Sequence, residues 1–336
     1  MLRLATFNCE NLYSRARVLA SSEACRRAAA LESLLGRRRR SAADQRHIEV
    51  EARALARQVE VEVEAGAPGR LVFHRTPTPA PQREAKARLL RSLKADVLAL
   101  QEVDDQAALD DLNHQRLAGR CPHRLALPSP DRRGLALALM SRLPVAALRS
   151  HVATHLGHDG RLLFPRDCVH AEIALPGGKP LHLMLAHFDG PWDAPTSAHQ
   201  PSRHQQQASA LATWLRQRNL ADERVVVMGD LGEPPQRAPQ ALAALLQLPG
   251  LNDALALQFP IPDDRWTTSL GPRNLQTSYL LLSDALMASF RGAGVERRGL
   301  PDLAEHTICG ERPFPGVGAA ATAASHHAAV WADFEL

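Results

Sequence analysis

Five polar side chains stand at the ends of apolar segments, and their types are those needed for metal-assisted hydrolysis. Asn8, Glu102, His187, Asp230 and His327 each flank a run of apolar residues that is typical of a β-strand. Two carboxylates, an amide and two imidazoles can together hold a hard divalent cation and activate a water molecule. The pattern therefore predicts a metal-dependent hydrolytic site, provided that the fold brings these strand ends together.

The strands that must position these residues are interleaved with hairpins and helices. Apolar strands are predicted at 2–8, 95–103, 225–228 and 279–283, and at the segment 324–334, which is entered through two histidines. A hairpin is predicted between 168–175 and 181–187, and helices are predicted at 83–94 and 202–219. This arrangement favours a mixed α/β sandwich over a purely parallel doubly wound sheet.

Both acidic residues also have a purely structural interpretation. Asp230 follows the strand Val225–Met228 and Gly229, where it could equally serve as an Asx-turn or helix N-cap residue. Glu102 ends an apolar strand, which costs burial energy unless a cation meets it, commonly a metal ion or an arginine. The two acids alone leave these alternatives open.

Composition and charge are those of an ordinary globular protein. The chain has 336 residues, of which 45% are hydrophobic, and its net charge of +4 comes mainly from arginine. Arginine suits phosphate groups, so an anionic substrate is compatible, although a solvated surface explains so small an excess more simply. Five cysteines without a Cys-x-x-Cys pair, no export signal and no apolar run of membrane-spanning length predict a cytoplasmic protein with no membrane association.

The segment at about 15–83 differs in character from the rest of the chain. It is rich in alanine and arginine, with helical spacing of leucine and isoleucine, and it contains an alternating Val59-Glu-Val-Glu-Val63 that is typical of a strand. A second strand, Leu71–His74, is placed to pair with it across a glycine- and proline-containing turn. We predict one domain over 1–336, with 15–83 as a helical elaboration of it.

Seven segments in order along nearly the whole chain resemble the endonuclease/exonuclease/phosphatase superfamily, which has the fold of DNase I-like nucleases. The segments are Ala5-Thr-Phe-Asn-Cys-Glu-Asn-Leu12, Asp96-Val-Leu-Ala-Leu-Gln-Glu-Val103, Leu139-Met-Ser-Arg-Leu-Pro144, His182 to Phe188, Val226-Val-Met-Gly-Asp230, Ser278-Tyr-Leu-Leu-Leu-Ser283 and Ser325 to Phe334. The resemblance implies a four-layer αββα sandwich, with two sheets face to face and helices on the outside.

The resemblance also implies a role for each candidate residue. Glu102 would be the main ligand of Mg²⁺ or Mn²⁺, and Asn8 would bind the scissile phosphate or an outer water. Asp230 would be the base that aligns the attacking water. His187 would orient a phosphate oxygen or assist the leaving group, and His327 would donate to the phosphate as negative charge builds. The reaction would be an in-line displacement at phosphorus, with a phosphate ester such as nucleic acid as the substrate.

One further residue is a candidate with two interpretations. Arg142 lies in the corner Ser141-Arg-Leu-Pro144 between two predicted strands. It is either an additional contact to the substrate phosphate or a structural residue of that corner. The sequence leaves both interpretations open.

Four positions depart from the family pattern. Gly232 replaces an asparagine, Ser278 an aspartate that normally orients the last histidine, His326 a carboxylate near the metal, and Asp189 a lysine on the phosphate side. His326 is thereby a further candidate metal ligand, which favours Mn²⁺ or Zn²⁺ over Mg²⁺. Loss of one preorganised donor typically costs about 10²–10³ in rate, so these departures bear on catalysis.

Two functions of different classes follow. The first is a divalent-metal-dependent phosphodiester or phosphoester hydrolase, similar to a nuclease, in which water attacks in line. The alternative is a catalytically silent relative that keeps the fold as an anion-binding or interaction module and needs no metal. The sequence determines neither the substrate within the phosphate esters nor the oligomeric state.

Overall fold

The computed structural model describes most of the chain. The described residues are 1–13, 22–37, 40–55, 59–62, 70–73, 78–131, 134–156, 160–189, 202–232, 241–270, 273–303 and 311–336. None of the helices in these ranges is long and apolar enough to cross a membrane.

The strands of the described residues are numbered in chain order. They are β1 (Leu2–Leu12), β2 (Val59–Glu62), β3 (Arg70–Phe73), β4 (Val97–Val103), β5 (His123–Leu127), β6 (Ala136–Ser141), β7 (Val145–Ser150), β8 (His155–Leu156), β9 (Arg161–Leu162), β10 (Cys168–Ile173), β11 (Leu181–His187), β12 (Arg224–Asp230), β13 (Leu251–Asp253), β14 (Thr268–Leu270), β15 (Arg273–Leu275), β16 (Ser278–Ser283), β17 (Phe290–Glu296) and β18 (Ala329–Phe334).

The α-helices lie mainly between the strands. They are α1 (Ser22–Leu35), α2 (Ala42–Leu55), α3 (Ala80–Leu93), α4 (Gln106–Asp111), α5 (Arg203–Arg216), α6 (Ala243–Leu246) and α7 (Ala254–Gln258). Ser202 caps α5, because its hydroxyl accepts from the backbone N–H of Gln205 and the Gln205 side chain bonds back to the N–H of Ser202. A π turn, Leu112–Arg116, continues α4, so the hydrogen-bond period of this helix changes midway.

Two mixed six-stranded sheets form the centre of the molecule. Sheet I has the order β17-β18-β1-β4-β6-β5, and sheet II has the order β13-β16-β12-β11-β10-β7. Within them, β1 and β4 are parallel, as are β11 and β12. In each parallel pair the two strands therefore end at the same edge of their sheet, which is what brings their terminal polar residues together.

Three apolar layers hold the sheets and helices together. The central layer lies between the sheets and includes Leu4 and Leu139 of sheet I and Leu183 and Met228 of sheet II. A second layer packs α3 and α4 on the outer face of sheet I, and a third packs α5 and α6 on the outer face of sheet II. The predicted four-layer α/β sandwich with outer helices is confirmed.

The segment 15–83 contains a small cluster of its own. Helices α1 and α2 pack through an apolar cluster that includes Leu31, Leu35 and Ile48. The predicted strand pair is present, since Val59 pairs with Phe73 and Glu62 with Arg70 in the antiparallel β2/β3 pair. That this segment elaborates a single domain stays a prediction.

Candidate active site

The end of β1 turns a polar side chain across the gap between the two sheets. The pairing of β1 with β4 is regular from Leu4 to Asn8 and then shifts register before Leu12. The amide Nδ2 of Asn8 donates to Oδ2 of Asp230 over 3.0 Å, and its Oδ1 accepts from the backbone N–H of Glu10 over 2.9 Å. Asn8 therefore joins sheet I to sheet II at the predicted site.

Glu102 stands at a strained position near the end of β4. Its φ is +61°, and the pairing with β6 shifts register between Leu100 and Val103 at this point. The side chain is buried and its Oε1 lies 3.9 Å from Nε2 of His187. The structure thus places an imidazole beside this buried glutamate.

Asp230 is the most connected residue of the site. It pairs in register with His187 across the parallel β11/β12 pair, so the two residues end neighbouring strands. Its Oδ1 accepts from the backbone N–H of Gly232 over 3.0 Å, while its Oδ2 accepts from Asn8 and lies 3.2 Å from Nδ1 of His327. Asp230 therefore makes an Asx-type turn and also faces the candidate residues of sheet I.

Gly229 is required for this arrangement. A Cβ at this residue would lie 1.8 Å from the carbonyl oxygen of Ala186 on the neighbouring strand. Only glycine allows the two backbones to come this close. The glycine thereby fixes the position of Asp230 relative to His187.

The two terminal histidines have different partners. His327 forms a bridge with Thr268 and directs Nδ1 towards Asp230, although this contact lacks the angle of a hydrogen bond. His326 instead binds Glu10, with 2.7 Å between its Nδ1 and Oε1 and 2.7 Å between its backbone N and Oε2. Burial opposes ionisation of Glu10, but these bonds outweigh it and lower the pKa of Glu10 to about 2.

The structure also shows what the other three departures, Ser278, Gly232 and Asp189, do locally. Ser278 lies opposite Asp230 on β16, is 0% exposed, and its hydroxyl has no hydrogen-bond partner among the described residues, so it does not orient His327. Gly232 contributes only its backbone N–H. Asp189 is 1% exposed and forms an ion pair with Arg203, with Arg166 3.9 Å away. The negative charge of Asp189 is thus compensated inside the protein.

The structure does not bring Arg142 to the site. Its neighbour Ser141 pairs with Val97, at the start of β4, whereas Glu102 stands near the end of that strand. Its Nη1 donates to Oδ1 of Asp96 over 2.8 Å, and its side chain is otherwise half exposed. The pairing of β4 with β6 thus separates Arg142 from Glu102 by most of a strand length.

Sequence reasoning missed two charged residues at the site. Glu10 follows Asn8 by two residues on β1, and the period of two in a strand could have placed both on one side. Lys86 lies on α3 and is buried among apolar residues of that helix. Its position on the apolar face of an amphipathic helix could have identified Lys86 as a buried charge from the sequence.

The donor set fits one kind of cation better than another. Within the described ranges no three His, Cys, Asp or Glu side chains are grouped to enclose a metal ion. Mg²⁺ keeps several water ligands and needs only one or two carboxylates, which Glu102 with its buried side chain satisfies. Zn²⁺ needs at least three protein ligands, and the described residues group no three such side chains. The residues fit a hydrated hard cation at Glu102.

The fold and the grouped side chains together define a DNase I-like sandwich with a polar site at one edge of the two sheets. The sequence model of the endonuclease/exonuclease/phosphatase family matches residues 75–282, and the chain belongs to that family. A comparison with curated protein sequences finds no match.

Solved structures share this fold at low sequence identity. An endonuclease/exonuclease/phosphatase from Beutenbergia cavernae is 15% identical with a TM-score of 0.56, over 100% of this chain and 71% of that one. TDP2 from D. rerio, complexed with single strand DNA product, is 15% identical with a TM-score of 0.51, over 100% and 99%. The 3' phosphatase NExo from Neisseria, bound to product DNA hairpin, is 20% identical with a TM-score of 0.50, over 74% and 92%.

Proposed function

We propose that this protein is a divalent-metal-dependent phosphodiester hydrolase in which water attacks phosphorus in line. The observation that carries the proposal is the convergence of five side chains from five separate strand ends. Contacts of 3.0, 3.2 and 3.9 Å link Asn8 to Asp230, His327 to Asp230 and His187 to Glu102. Family membership supports the same reaction class.

In this proposal Asp230 orients the attacking water and accepts its proton. Its carboxylate is fixed on one side by the backbone N–H of Gly232 and on the other by the amide of Asn8. A general base held in place in this way does not have to reorganise during the reaction. The burial of Asp230 also keeps bulk water from competing for its oxygens.

Glu102 and the imidazoles act on the phosphate in this proposal. Glu102 would hold a divalent cation, which would supply positive charge to polarise a phosphoryl oxygen and stabilise the transition state. His187 is held against Glu102, and His327 lies beside Asp230, so both can donate to phosphate oxygens on either side of the reacting phosphorus. Mg²⁺ and Mn²⁺ are the cations we propose.

We propose a nucleic acid as the substrate. The net charge of +4 comes mainly from arginine, which suits phosphodiesters. Two solved structures with the same fold, D. rerio TDP2 and Neisseria NExo, are described with a DNA product. These observations support the substrate class without distinguishing DNA from RNA.

A specific observation favours a second candidate, a catalytically silent relative that binds anions. Neither the hydroxyl of Ser278 nor Nδ1 of His327 has a hydrogen-bond partner among the described residues. In the family pattern an aspartate orients the last histidine, and within the described residues no other group takes over its hydrogen bond to Nδ1 of His327. A histidine held less firmly stabilises the transition state less.

Turnover with defined metals separates the two candidates. We expect the wild-type protein to hydrolyse bis(p-nitrophenyl) phosphate and plasmid DNA with Mg²⁺ or Mn²⁺ and to stop on addition of EDTA. Asp230→Ala should abolish turnover, whereas the control Asp222→Ala, an exposed residue that pairs with Lys179, should not change it. No turnover with Mg²⁺, Mn²⁺ or Zn²⁺, together with a gain in the triple variant Gly232→Asn, Ser278→Asp and His326→Asp, would instead establish the silent relative.

A further inference from the structure

A cavity of about 340 Å³ opens next to the candidate active site. It lies between the end of β1, the first turns of α3 and the segment that precedes β18. Glu10 and His326 form part of its lining and stand beside Asn8 and His327 in the chain. The cavity therefore shares a boundary with the proposed catalytic site, and its volume falls in the range of small-ligand pockets.

The cavity contains a buried lysine with few partners. Lys86 is 2% exposed, and its Nζ donates to the carbonyl oxygen of Ala324 over 2.5 Å. An ammonium group has three N–H donors. Within the described residues, Nζ of Lys86 makes no second hydrogen bond, and no carboxylate lies within ion-pair distance of it. Two donors of a buried cation thus remain for a group inside the cavity.

The surroundings of Lys86 favour an anion as that group. A buried ammonium is costly unless an opposite charge or several acceptors compensate it. The carboxylate of Glu10 binds His326 and, within the described residues, forms no ion pair with Lys86. Burial lowers the pKa of Lys86 below its ordinary value, and the nearby acidic groups, Glu10 and Glu102 among them, offset this only in part. An anion in the cavity would favour the charged ammonium in the same direction.

Neutral polar groups complete the cavity. Tyr13, Gln82 and Ser325 line it alongside Lys86, and each carries a side-chain donor. Gln82 lies at its rim, half buried, with its Nε2 bonded to the carbonyl oxygen of Ala320. Glu10 and His326 also line the cavity, and the negative charge of Glu10 is compensated by its pairing with His326. Lys86 with these neutral donors is a set of groups that can bind a phosphate group.

We propose that this cavity is a second phosphate subsite, which takes a phosphate flanking the scissile one, with Lys86 as its cation. The proposal rests on the proposed function and narrows it to substrates that carry at least two phosphates. A nucleic-acid strand meets this condition, whereas a simple diester does not. Lys86 is then a specificity-determining residue that distinguishes strands from isolated phosphodiesters.

A comparison of two substrates tests the proposal by kinetics. Lys86→Met should lower kcat/KM for a short single-stranded oligonucleotide by about 10- to 100-fold, as expected for one lost charge-assisted hydrogen bond. The fold decrease in kcat/KM that Lys86→Met causes for bis(p-nitrophenyl) phosphate, which has a single phosphate, should be at least tenfold smaller than for the oligonucleotide. The control Lys179→Met, an exposed lysine that pairs with Asp222, should change neither value. Equal losses on both substrates, or no loss on either, would overturn the subsite.

A binding measurement decides the question even if the protein hydrolyses neither substrate. Titration calorimetry with inorganic phosphate should give a Kd at least tenfold weaker for Lys86→Met than for the wild type and for Lys179→Met. This result without turnover would reject the proposed hydrolase and keep the subsite. Equal affinities in all three proteins would reject the subsite whatever the kinetics show.

A second variant covers the case in which Lys86→Met does not fold. Gln82→Glu places a negative charge at the half-buried rim and should weaken phosphate binding at least threefold by repulsion. Its matched control is Gln247→Glu on an exposed residue after α6, which should bind phosphate like the wild type. Unchanged binding in Gln82→Glu would count against the subsite.

Discussion

Replacement of Asp230 by asparagine removes a charge and a proton acceptor while keeping the shape of the side chain. In the wild type, Oδ1 accepts from Gly232 and Oδ2 accepts from Asn8, with His327 3.2 Å away. If the new amide keeps its oxygen on Gly232, its NH₂ group must face the NH₂ group of Asn8. Asp230→Asn therefore loses one hydrogen bond and places two donors against each other.

The size of the effect follows from these contacts. Loss of a positioned general base typically lowers kcat by about 10²–10⁴-fold. Loss of one hydrogen bond to an ionised group costs about 1.5–3 kcal/mol of stability. An ordinary domain is stable by about 5–15 kcal/mol, so the variant should remain folded at 25 °C. The activity should thus fall far more than the folded fraction.

The assay is steady-state hydrolysis of bis(p-nitrophenyl) phosphate with saturating Mn²⁺, together with urea unfolding followed by circular dichroism. The fall should appear in kcat with little change in KM, because the base acts in the transition state. Asp222→Asn on the surface is the matched control. A folded Asp230→Asn protein that keeps more than a tenth of the wild-type kcat would refute the assignment of Asp230 as the base.

Three further predictions concern the metal, the backbone and pH. Glu102→Gln should weaken the apparent affinity for Mn²⁺ at least tenfold, measured from the metal dependence of turnover and by calorimetry; an unchanged affinity would place the cation elsewhere. Gly229→Ala should lower the free energy of unfolding by about 2–4 kcal/mol in urea, because its Cβ would meet the oxygen of Ala186, whereas Gly318→Ala, with nothing within 4 Å, should change it little. Burial lowers the pKa of His170 from 6.5 to about 4, so the unfolded chain binds more protons between these values and stability falls as pH drops from 6.5 to 4. Because His170 is only half buried, we expect this loss to be about 1–2 kcal/mol, and urea unfolding of His170→Gln at pH 5 and pH 7.5 should show a smaller difference than the wild type.

The sandwich and the acid positions were predictable because strand ends are local features of a sequence. Val225 to Met228 is too short and too β-branched for a helix, so Asp230 had to stand at a strand end. The same reasoning placed His187 at a strand end, and the structure shows that β11 and β12 are parallel and pair the two residues in register. Residues at the ends of neighbouring parallel strands lie close together, and this can be predicted without knowledge of side-chain contacts.

Contacts over long sequence separations were not predictable in the same way. His326 and Glu10 are 316 positions apart, and only the assembled sheet brings the imidazole to the carboxylate. Arg142 lies in a family-like segment, but the pairing of its neighbour Ser141 with the start of β4 moves it away from the site. The order of segments in the sequence does not show at which end of β4 the corner that contains Arg142 lies.

A strand rich in glycine was also missed. The segment Phe290–Glu296 contains Gly292 and Gly294, and glycine weakens strand propensity. In the structure Trp331 of β18 packs over Gly294, where a Cβ would lie 2.5 Å from the indole ring. The glycine is explained by a partner that the sequence alone does not reveal.

The strained residues of the site distinguish its functional role from its role in folding. Glu10, Asn11 and Glu102 have φ values of +44°, +63° and +61°, and they lie on the adjacent strands β1 and β4. Non-glycine residues in this region each cost of the order of 1–3 kcal/mol. A regular pairing of two apolar strands would avoid that cost, so folding alone does not account for the irregularity. What the irregularity provides is a carboxylate, Glu102, that faces His187 on the opposite sheet. We therefore infer that the strained ends of β1 and β4 serve ligand binding. If the protein is catalytically silent, anion binding alone would have to account for this strain.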